Sequence, residues 1–221
     1  MKTRVKICCI KSVEEALLAL RYGASALGFV SAMPSGPGPI AEELIATIIP
    51  HVPAGISTFL LTSKRDAPTI IGQQSRTHAN TLQLVDKVPL ETYQTLRNAL
   101  PGISIVQVIH VTGPEAVNQA MAVSSHVNAI LLDSGNPNLA VKELGGTGRV
   151  HDWSLSRTIR EQMCVPVYLA GGLRPENVAE AIRTVRPFAV DVCSGVRSNG
   201  DLDEVTLSRF IDAVAQAETS S

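Results

Sequence analysis

Val165-Pro166-Val167-Tyr168-Leu169-Ala170-Gly171-Gly172-Leu173 leads through a helix-spaced segment that opens at Pro175 into Phe188-Ala189-Val190-Asp191-Val192-Cys193-Ser194-Gly195-Val196. A short apolar run ends in Gly-Gly, a helix follows, and a second apolar run ends in Ser-Gly. Runs of this length bounded by turn residues read as buried strands, and proline suits the first turn of a helix. Two strands joined by a helical crossover lie parallel. The same alternation continues outward from this passage. Apolar runs fall at 4–9, 25–30, 55–61, 80–84, 103–109, 127–132, 165–169 and 188–192. Helical spacing falls at 12–22, 40–50, 66–76, 89–99, 114–124, 154–163, 175–185 and 204–217. Val13, Ala16, Leu17 and Leu20 make one apolar face in the first helix, and Val205, Phe210 and Val214 do so in the last. Ser12 followed three residues later by Glu15 reads as a capping box, and Pro114 marks another helix start.

Eight such units, each of about 28 residues, predict an α/β fold: a single (β/α)8 TIM barrel over residues 1–221. The alternative is a doubly wound open sheet. That fold usually carries Gly-x-Gly-x-x-Gly after its first strand, where this chain reads Cys8-Cys9-Ile10-Lys11. No domain boundary is visible. Pro34-Ser35-Gly36-Pro37-Gly38-Pro39 falls in a strand-to-helix loop, and the tail 218–221 reads as frayed.

Composition narrows the function classes. Hydrophobic residues make up 45 %, enough for a sizeable core, and 19 Lys+Arg nearly cancel 20 Asp+Glu. A net charge of −1 supplies no field to draw nucleic acid or an anionic membrane, so neither is expected as a partner. No apolar run approaches the ~20 residues of a membrane span, and the basic start lacks the apolar stretch of a signal peptide, which predicts a cytoplasmic protein. Cys8, Cys9, Cys164 and Cys193 are too sparse for a disulfide framework and are expected to be reduced. With histidines scattered at 51, 78, 110, 126 and 151, no metal site is expected.

In such a barrel the chemistry lies at the C-terminal ends of the strands and in the loops that follow. Strand alternation puts Cys8 on the side of Arg4 and Lys6, pointing into the barrel mouth, and Cys9 on the side of Val5 and Ile7, packing toward the helices. A thiol at the mouth serves as base or nucleophile if its pKa is lowered. Asp133 closes the sixth apolar run at the same rim, a position for a general acid or base. Glycine clusters follow the sixth run (Gly145-Gly146-Thr147-Gly148), the seventh (Gly171-Gly172) and the eighth (Ser194-Gly195). The last two occupy the loops where barrels of this type hold phosphate on backbone N–H groups. Asp152 reads as a helix cap, Trp153 as packing, Asn177 as part of a first helical turn, and Asp191 as a barrel-lining residue.

These residues carry a resemblance. Val5-Lys6-Ile7-Cys8, Leu27-Gly28-Phe29-Val30, Leu82-Gln83-Leu84, Leu131-Leu132-Asp133-Ser134, Gly145-Gly146-Thr147-Gly148 with His151-Asp152-Trp153, Leu169-Ala170-Gly171-Gly172-Leu173 with Pro175-Glu176-Asn177-Val178, and Val190-Asp191-Val192 with Ser194-Gly195-Val196 stand in order along nearly the whole chain. Together they resemble the phosphoribosylanthranilate isomerase family. The resemblance implies an Amadori rearrangement without cofactor, with a phosphoribosyl aminoaldose as small-molecule substrate, in a monomer or homodimer. It assigns Cys8 as base and Asp133 as acid, with pKa values drawn toward neutrality. Gly171, Gly172, Ser194 and Gly195 would then hold the phosphate.

The chain departs from the family pattern at four places. Cys9 stands where a glycine is usual, Val85-Asp86 where His-Gly is common, and Arg197 where a glutamate is usual. Ser35-Gly36-Pro37-Gly38-Pro39 aligns with a motif whose arginine anchors the anthranilate carboxylate, and it contains none. Lys11, Lys142, Arg149, Arg174 and Arg197 are the candidate replacements, and His110 is a donor candidate in place of the missing histidine. Gln83, Gly146 and Asp191 complete the expected substrate contacts. The alternatives are a paralogue acting on another phosphosugar, or a non-catalytic phosphometabolite-binding barrel. A Schiff-base aldolase is disfavoured because neither mid-strand Lys6 nor loop residue Lys142 reads as a buried lysine of lowered pKa.

Overall fold

The chain closes its eight parallel strands into a barrel, in the order in which they occur in the sequence. A computed structural model describes residues 2–139, 141–146 and 148–219; Thr147 and the last two residues of the expected frayed tail lie outside the described residues. The barrel strands are β1 (Arg4–Ile7), β2 (Ala26–Val30), β3 (Ser57–Thr62), β4 (Thr81–Leu84), β5 (Ser104–His110), β6 (Ala129–Asp133), β7 (Val167–Leu169) and β8 (Ala189–Val192). The helices between them are α1 (Val13–Arg21), α2 (Glu42–Ile48), α3 (Ala67–Thr77), α4 (Leu90–Ala99), α5 (Glu115–Ser124), α6 (Trp153–Gln162) and α7 (Val178–Val185), and α8 (Glu204–Thr219) follows the last strand. Every expected run became its element, so the open-sheet alternative is excluded. Beyond β8 the chain adds a 3-10 turn at Ser194–Val196 and a small antiparallel ribbon of β9 (Arg197–Ser198) and β10 (Asp201–Leu202).

The period-2 pattern sorts the core into two layers. Val5, Ile7, Leu27, Phe29, Leu60 and Ile130 point outward and pack under the helices. Ala26, Phe59, Leu61, Val106, Val108, Ala129 and Leu131 fill the barrel itself. Phe29 is wholly buried in the outer layer, so truncating it to alanine would cost about 3–5 kcal/mol. The closing seam between β1 and β8 sets Lys6 opposite Asp191. Among the described residues no helix is long and apolar enough to cross a membrane.

Several local expectations are refined. Ser12 caps α1 by accepting the Glu15 N–H, but the Glu15 carboxylate does not return to Ser12 and accepts instead from the Lys11 and Leu202 N–H groups. Asp152 caps α6 through the Ser154 N–H, and Trp153 packs against the outer core. Pro175 lies in a turn ahead of α7, whose first residue is Val178.

Candidate active site

At the C-terminal mouth of the barrel one cavity is lined by Cys8, Gln83, Asp133, Gly146, Gly171, Gly172, Asp191 and Ser194. Cys8 follows directly on β1 and is 5 % exposed; Asp133 ends β6 and is 8 % exposed. Inward parity on two strands of one barrel aims both at the same space. The Asp133 carboxylate accepts the Ser134 N–H at 2.7 Å through Oδ1, while Oδ2 lies toward loop six beside Gly145. Burial raises its pKa, helped by the nearby Asp191 charge and opposed by His110, the Ser134 N–H and Lys6. A carboxyl so placed holds its proton longer than an exposed one.

Cys8 shifts the other way from expectation. Burial pushes the thiol up to about 11, with the Lys6 ammonium pulling down and Asp191 pushing up. Lys6 is also a correction. It is 0 % exposed, and its Nζ donates to Asp191 Oδ1 at 2.9 Å. Burial disfavours its charge, but Asp191 and Cys8 outweigh that and raise its pKa. A lysine held charged is a poor Schiff-base nucleophile, which removes the aldolase reading on different grounds from those of the sequence.

Loops seven and eight form a backbone cradle. Gly172 has φ +61°, and a Cβ there would stand 2.6 Å from the Arg149 carbonyl; a Cβ on Gly195 would collide with the Leu173 carbonyl. Only glycine permits these approaches. Asn177 does more than start a helix turn: it accepts the Arg174 N–H and donates to the Gly172 carbonyl, pinning loop seven. Among the described residues the N–H groups of Gly172, Leu173, Ser194 and Gly195 donate to no other protein group, and the first three of these residues line the cavity, so backbone donors are available at the rim for an oxyanion. His151 and Ser134, not singled out as site residues from the sequence, sit against Gly171. Burial lowers the His151 pKa to about 4, so the ring is neutral there.

The opposite end is roofed by loop two, whose Ser35 hydroxyl donates to the Lys142 carbonyl of loop six at 2.5 Å. Its wall is apolar: Val30, Met33, Pro37, Leu61, Val85 and Leu144. Gln83 faces this space, its buried Oε1 without a hydrogen-bond partner among the described residues. Among the described lining residues the charged ones are Asp133 and Asp191.

Three expected substrate contacts, Gly195, Arg197 and His110, are not brought to the cavity wall. Gly195 packs against the Leu173 carbonyl, one residue beyond Ser194, which does line the cavity. Arg197 is buried beneath loop one, where it pairs with Glu15 at 2.8 Å and donates to the Cys8 and Cys9 carbonyls. The glutamate 182 residues away claims it for bracing. His110 stands behind Asp133, with Nε2 donating to the Val85 carbonyl at 2.9 Å. Each other cation proposed for the rim also has a carboxylate partner: Lys11 has Asp201, Lys142 has Asp86, Arg149 has Glu143 and Arg174 has Glu176.

The expectation of reduced cysteines fails at one pair. Cys9 and Cys193 form a disulfide with 5.9 Å between Cα atoms, leaving Cys8 and Cys164 free. Alternation does not extend to Cys9, because β1 ends at Ile7 and Cys9 adopts a left-handed φ of +64°. Its side chain therefore turns to loop eight instead of packing toward the helices.

Comparison with known proteins agrees with this geometry. A protein-family model described as N-(5′phosphoribosyl)anthranilate (PRA) isomerase matches residues 5–213. The chain is 39 % identical to N-(5′-phosphoribosyl)anthranilate isomerase 2 of Methanosarcina mazei over 210 residues, 94 % of this chain and 92 % of that one. Phosphoribosyl anthranilate isomerase from Thermotoga maritima superposes with a TM-score of 0.82 at 32 % identity, covering 97 % and 99 % of the two chains. Another solved isomerase, in complex with reduced 1-(o-carboxyphenylamino)-1-deoxyribulose 5-phosphate, gives a TM-score of 0.79 at 30 % identity with the same coverage.

Proposed function

The chain belongs to the N-(5′-phosphoribosyl)anthranilate isomerase family, and from that premise we propose that Cys8 and Asp133 perform its intramolecular rearrangement in tryptophan biosynthesis. The substrate phosphate binds the N–H groups of Gly172, Leu173, Ser194 and Gly195. The sugar then spans the barrel mouth between Cys8 and Asp133, and the aromatic amine lies against Met33, Leu61, Val85 and Leu144.

Asp133 in its acid form gives a proton to the ribose ring oxygen. The C1′–O bond breaks as the amine nitrogen lone pair forms a C1′=N iminium. Cys8 as thiolate removes the C2′ proton, and the C–H electron pair becomes a C1′=C2′ bond while the iminium electrons return to nitrogen. The resulting enol-amine tautomerises to the C2′ ketone with a proton added at C1′. One proton leaves Asp133 and one arrives at Cys8, so no cofactor enters the balance.

The observation that supports this reading is that Cys8, Asp133 and the backbone of Gly172, Leu173 and Ser194, whose N–H groups donate to no other group among the described residues, line one cavity. The test is the fluorescence decay of phosphoribosylanthranilate generated in situ. Cys8→Ser and Asp133→Asn are each expected to lose 10²–10⁴-fold in turnover, the usual weight of a general acid or base. Turnover within threefold of wild type in either variant would remove that residue from the mechanism.

A further inference from the structure

The barrel interior holds a buried charge that the mechanism above does not use. Lys6 is wholly buried, its ammonium fixed by Asp191 across the β1–β8 seam and set 5.1 Å from the Phe59 ring centroid. Burying an ion pair seldom gains stability over packed apolar side chains, so packing alone gives no account of a lysine here. Its position does. Lys6 and Cys8 share the inward face of β1, and the lysine stem runs up the barrel axis toward the mouth. Gly28 on β2 shows where the head ends: a Cβ there would lie 2.8 Å from Cys8 Sγ and 2.9 Å from Lys6 Nζ. Sulfur and ammonium thus flank one notch that the absent side chain of Gly28 keeps open.

We propose that Lys6, paired with Asp191 and set beside Cys8 at the Gly28 notch, is a positioning residue that favours the thiolate form of Cys8. The inference rests on the reading of Cys8 as base. Productive chemistry needs Asp133 protonated and Cys8 deprotonated at the same moment. Burial opposes the thiolate, and Asp191 opposes it further; Lys6 is the adjacent positive charge that favours it. The other charged or titratable groups around Cys8 are Asp133 on β6, His110 behind it on β5, Tyr168 on β7, and Arg197, which touches the Cys8 carbonyl and is paired with Glu15 of α1. The facing parts of β2, β3 and β4 contribute Gly28, Phe59 and Gln83, none of which titrates. Cys9, bonded to Cys193, does not titrate either.

Thiolate content is measurable without turnover. In a Cys164→Ser background Cys8 is the remaining free thiol, and its alkylation by iodoacetamide is followed by mass spectrometry from pH 6 to 11. Lys6→Met is expected to slow alkylation of Cys8 at least tenfold at any pH below the wild-type midpoint. Below that midpoint kcat/KM should fall by the same factor as the alkylation rate at each pH. Lys6→Arg, which keeps the charge, should restore alkylation to within about threefold. Lys6→Met strands a buried carboxylate and is prone to misfold, so Lys6→Met/Asp191→Asn decides the matter if it does. A purely structural ion pair predicts that the double variant recovers melting temperature and Cys8 reactivity in full; a charge acting on the thiol predicts that melting temperature recovers while reactivity recovers only in part, since removing Asp191 relieves a smaller opposing charge than the one lost with Lys6. A folded Lys6 variant whose Cys8 alkylates with the wild-type pH dependence overturns the inference. If Cys8→Ser itself keeps turning over, the base assignment has failed instead, whatever the Lys6 variants do.

Discussion

The two ends of the cavity are built from different chemical groups. Loops seven and eight offer backbone N–H groups, held in place by glycines that touch neighbouring carbonyls and by the Asn177 clamp. Loop two and the walls beside it offer side chains, apolar ones above all, closed over by a hydrogen bond between Ser35 and loop six. Backbone recognition is insensitive to side-chain drift but intolerant of any added Cβ. Side-chain recognition is the reverse, and it is at this end that the chain departs most from its family's pattern.

The largest contrast should come from adding one methyl group at the rigid end. Gly195→Ala drives a Cβ into the Leu173 carbonyl and displaces two donors, each worth ~1.5–3 kcal/mol to a phosphate. Ribose 5-phosphate affinity, measured by calorimetry, should fall by about a hundredfold or more. Met33→Ala at the other end should leave it within about threefold. Equal losses in both would mean that the phosphate does not sit on loops seven and eight.

A second difference concerns pH. Burial lowers His151, packed against Gly171, to about 4, whereas the unfolded chain titrates near 6.5. Between those values the unfolded chain binds a proton that the folded chain does not, so stability falls as pH drops from about 6.5 to 4. The loss approaches roughly 3 kcal/mol. His151→Asn should flatten the melting-temperature slope across that interval relative to wild type, while a slope identical in both would assign the acid sensitivity to carboxylates elsewhere.

At the amine end the test is a gain. Ser35→Arg places a cation where the described lining holds only carboxylates as charged groups. A new charge-assisted contact of ~1.5 kcal/mol should lower KM for phosphoribosylanthranilate about tenfold, with kcat and ribose 5-phosphate binding nearly unchanged. An unchanged KM would show that the substrate carboxylate points elsewhere.

What could be read from the sequence follows the same division. Cys8, Asp133 and the glycines of loops seven and eight were legible because each is fixed by strand parity or by its place just after a strand, both local properties. Lys6 was only half legible: parity turns it inward, but a four-carbon stem reaches either end of a barrel, and its partner Asp191 is 185 residues away. Arg197 misled for a similar reason, since the rim position is local while the claim of Glu15 on it is not. The Cys9–Cys193 bond, with 184 residues between its ends, exists only once the barrel closes.

Cys9 joins the two ends, and it sets the smallest effect. Its Cβ lies where loop two passes over at Gly38, and its sulfur is bonded to Cys193, next to Ser194 of loop eight. Its left-handed backbone is one that glycine adopts freely and cysteine does not, by about 1 kcal/mol. In reducing solution, where neither protein carries the bond, Cys9→Gly should therefore be slightly stabilising. The gain is at most ~0.5 kcal/mol after allowing for glycine's greater freedom in the unfolded chain. In oxidising solution the sign should reverse, because the variant then lacks a cross-link between distant parts of the chain. Urea titrations of both proteins with and without reductant give all four stabilities. A variant less stable by the same amount in both conditions would mean that Cys9 contributes by packing under Gly38 and that the disulfide adds nothing. A reversal would mean that the chain accepts a strained residue beside Cys8 in order to tie loop one to loop eight.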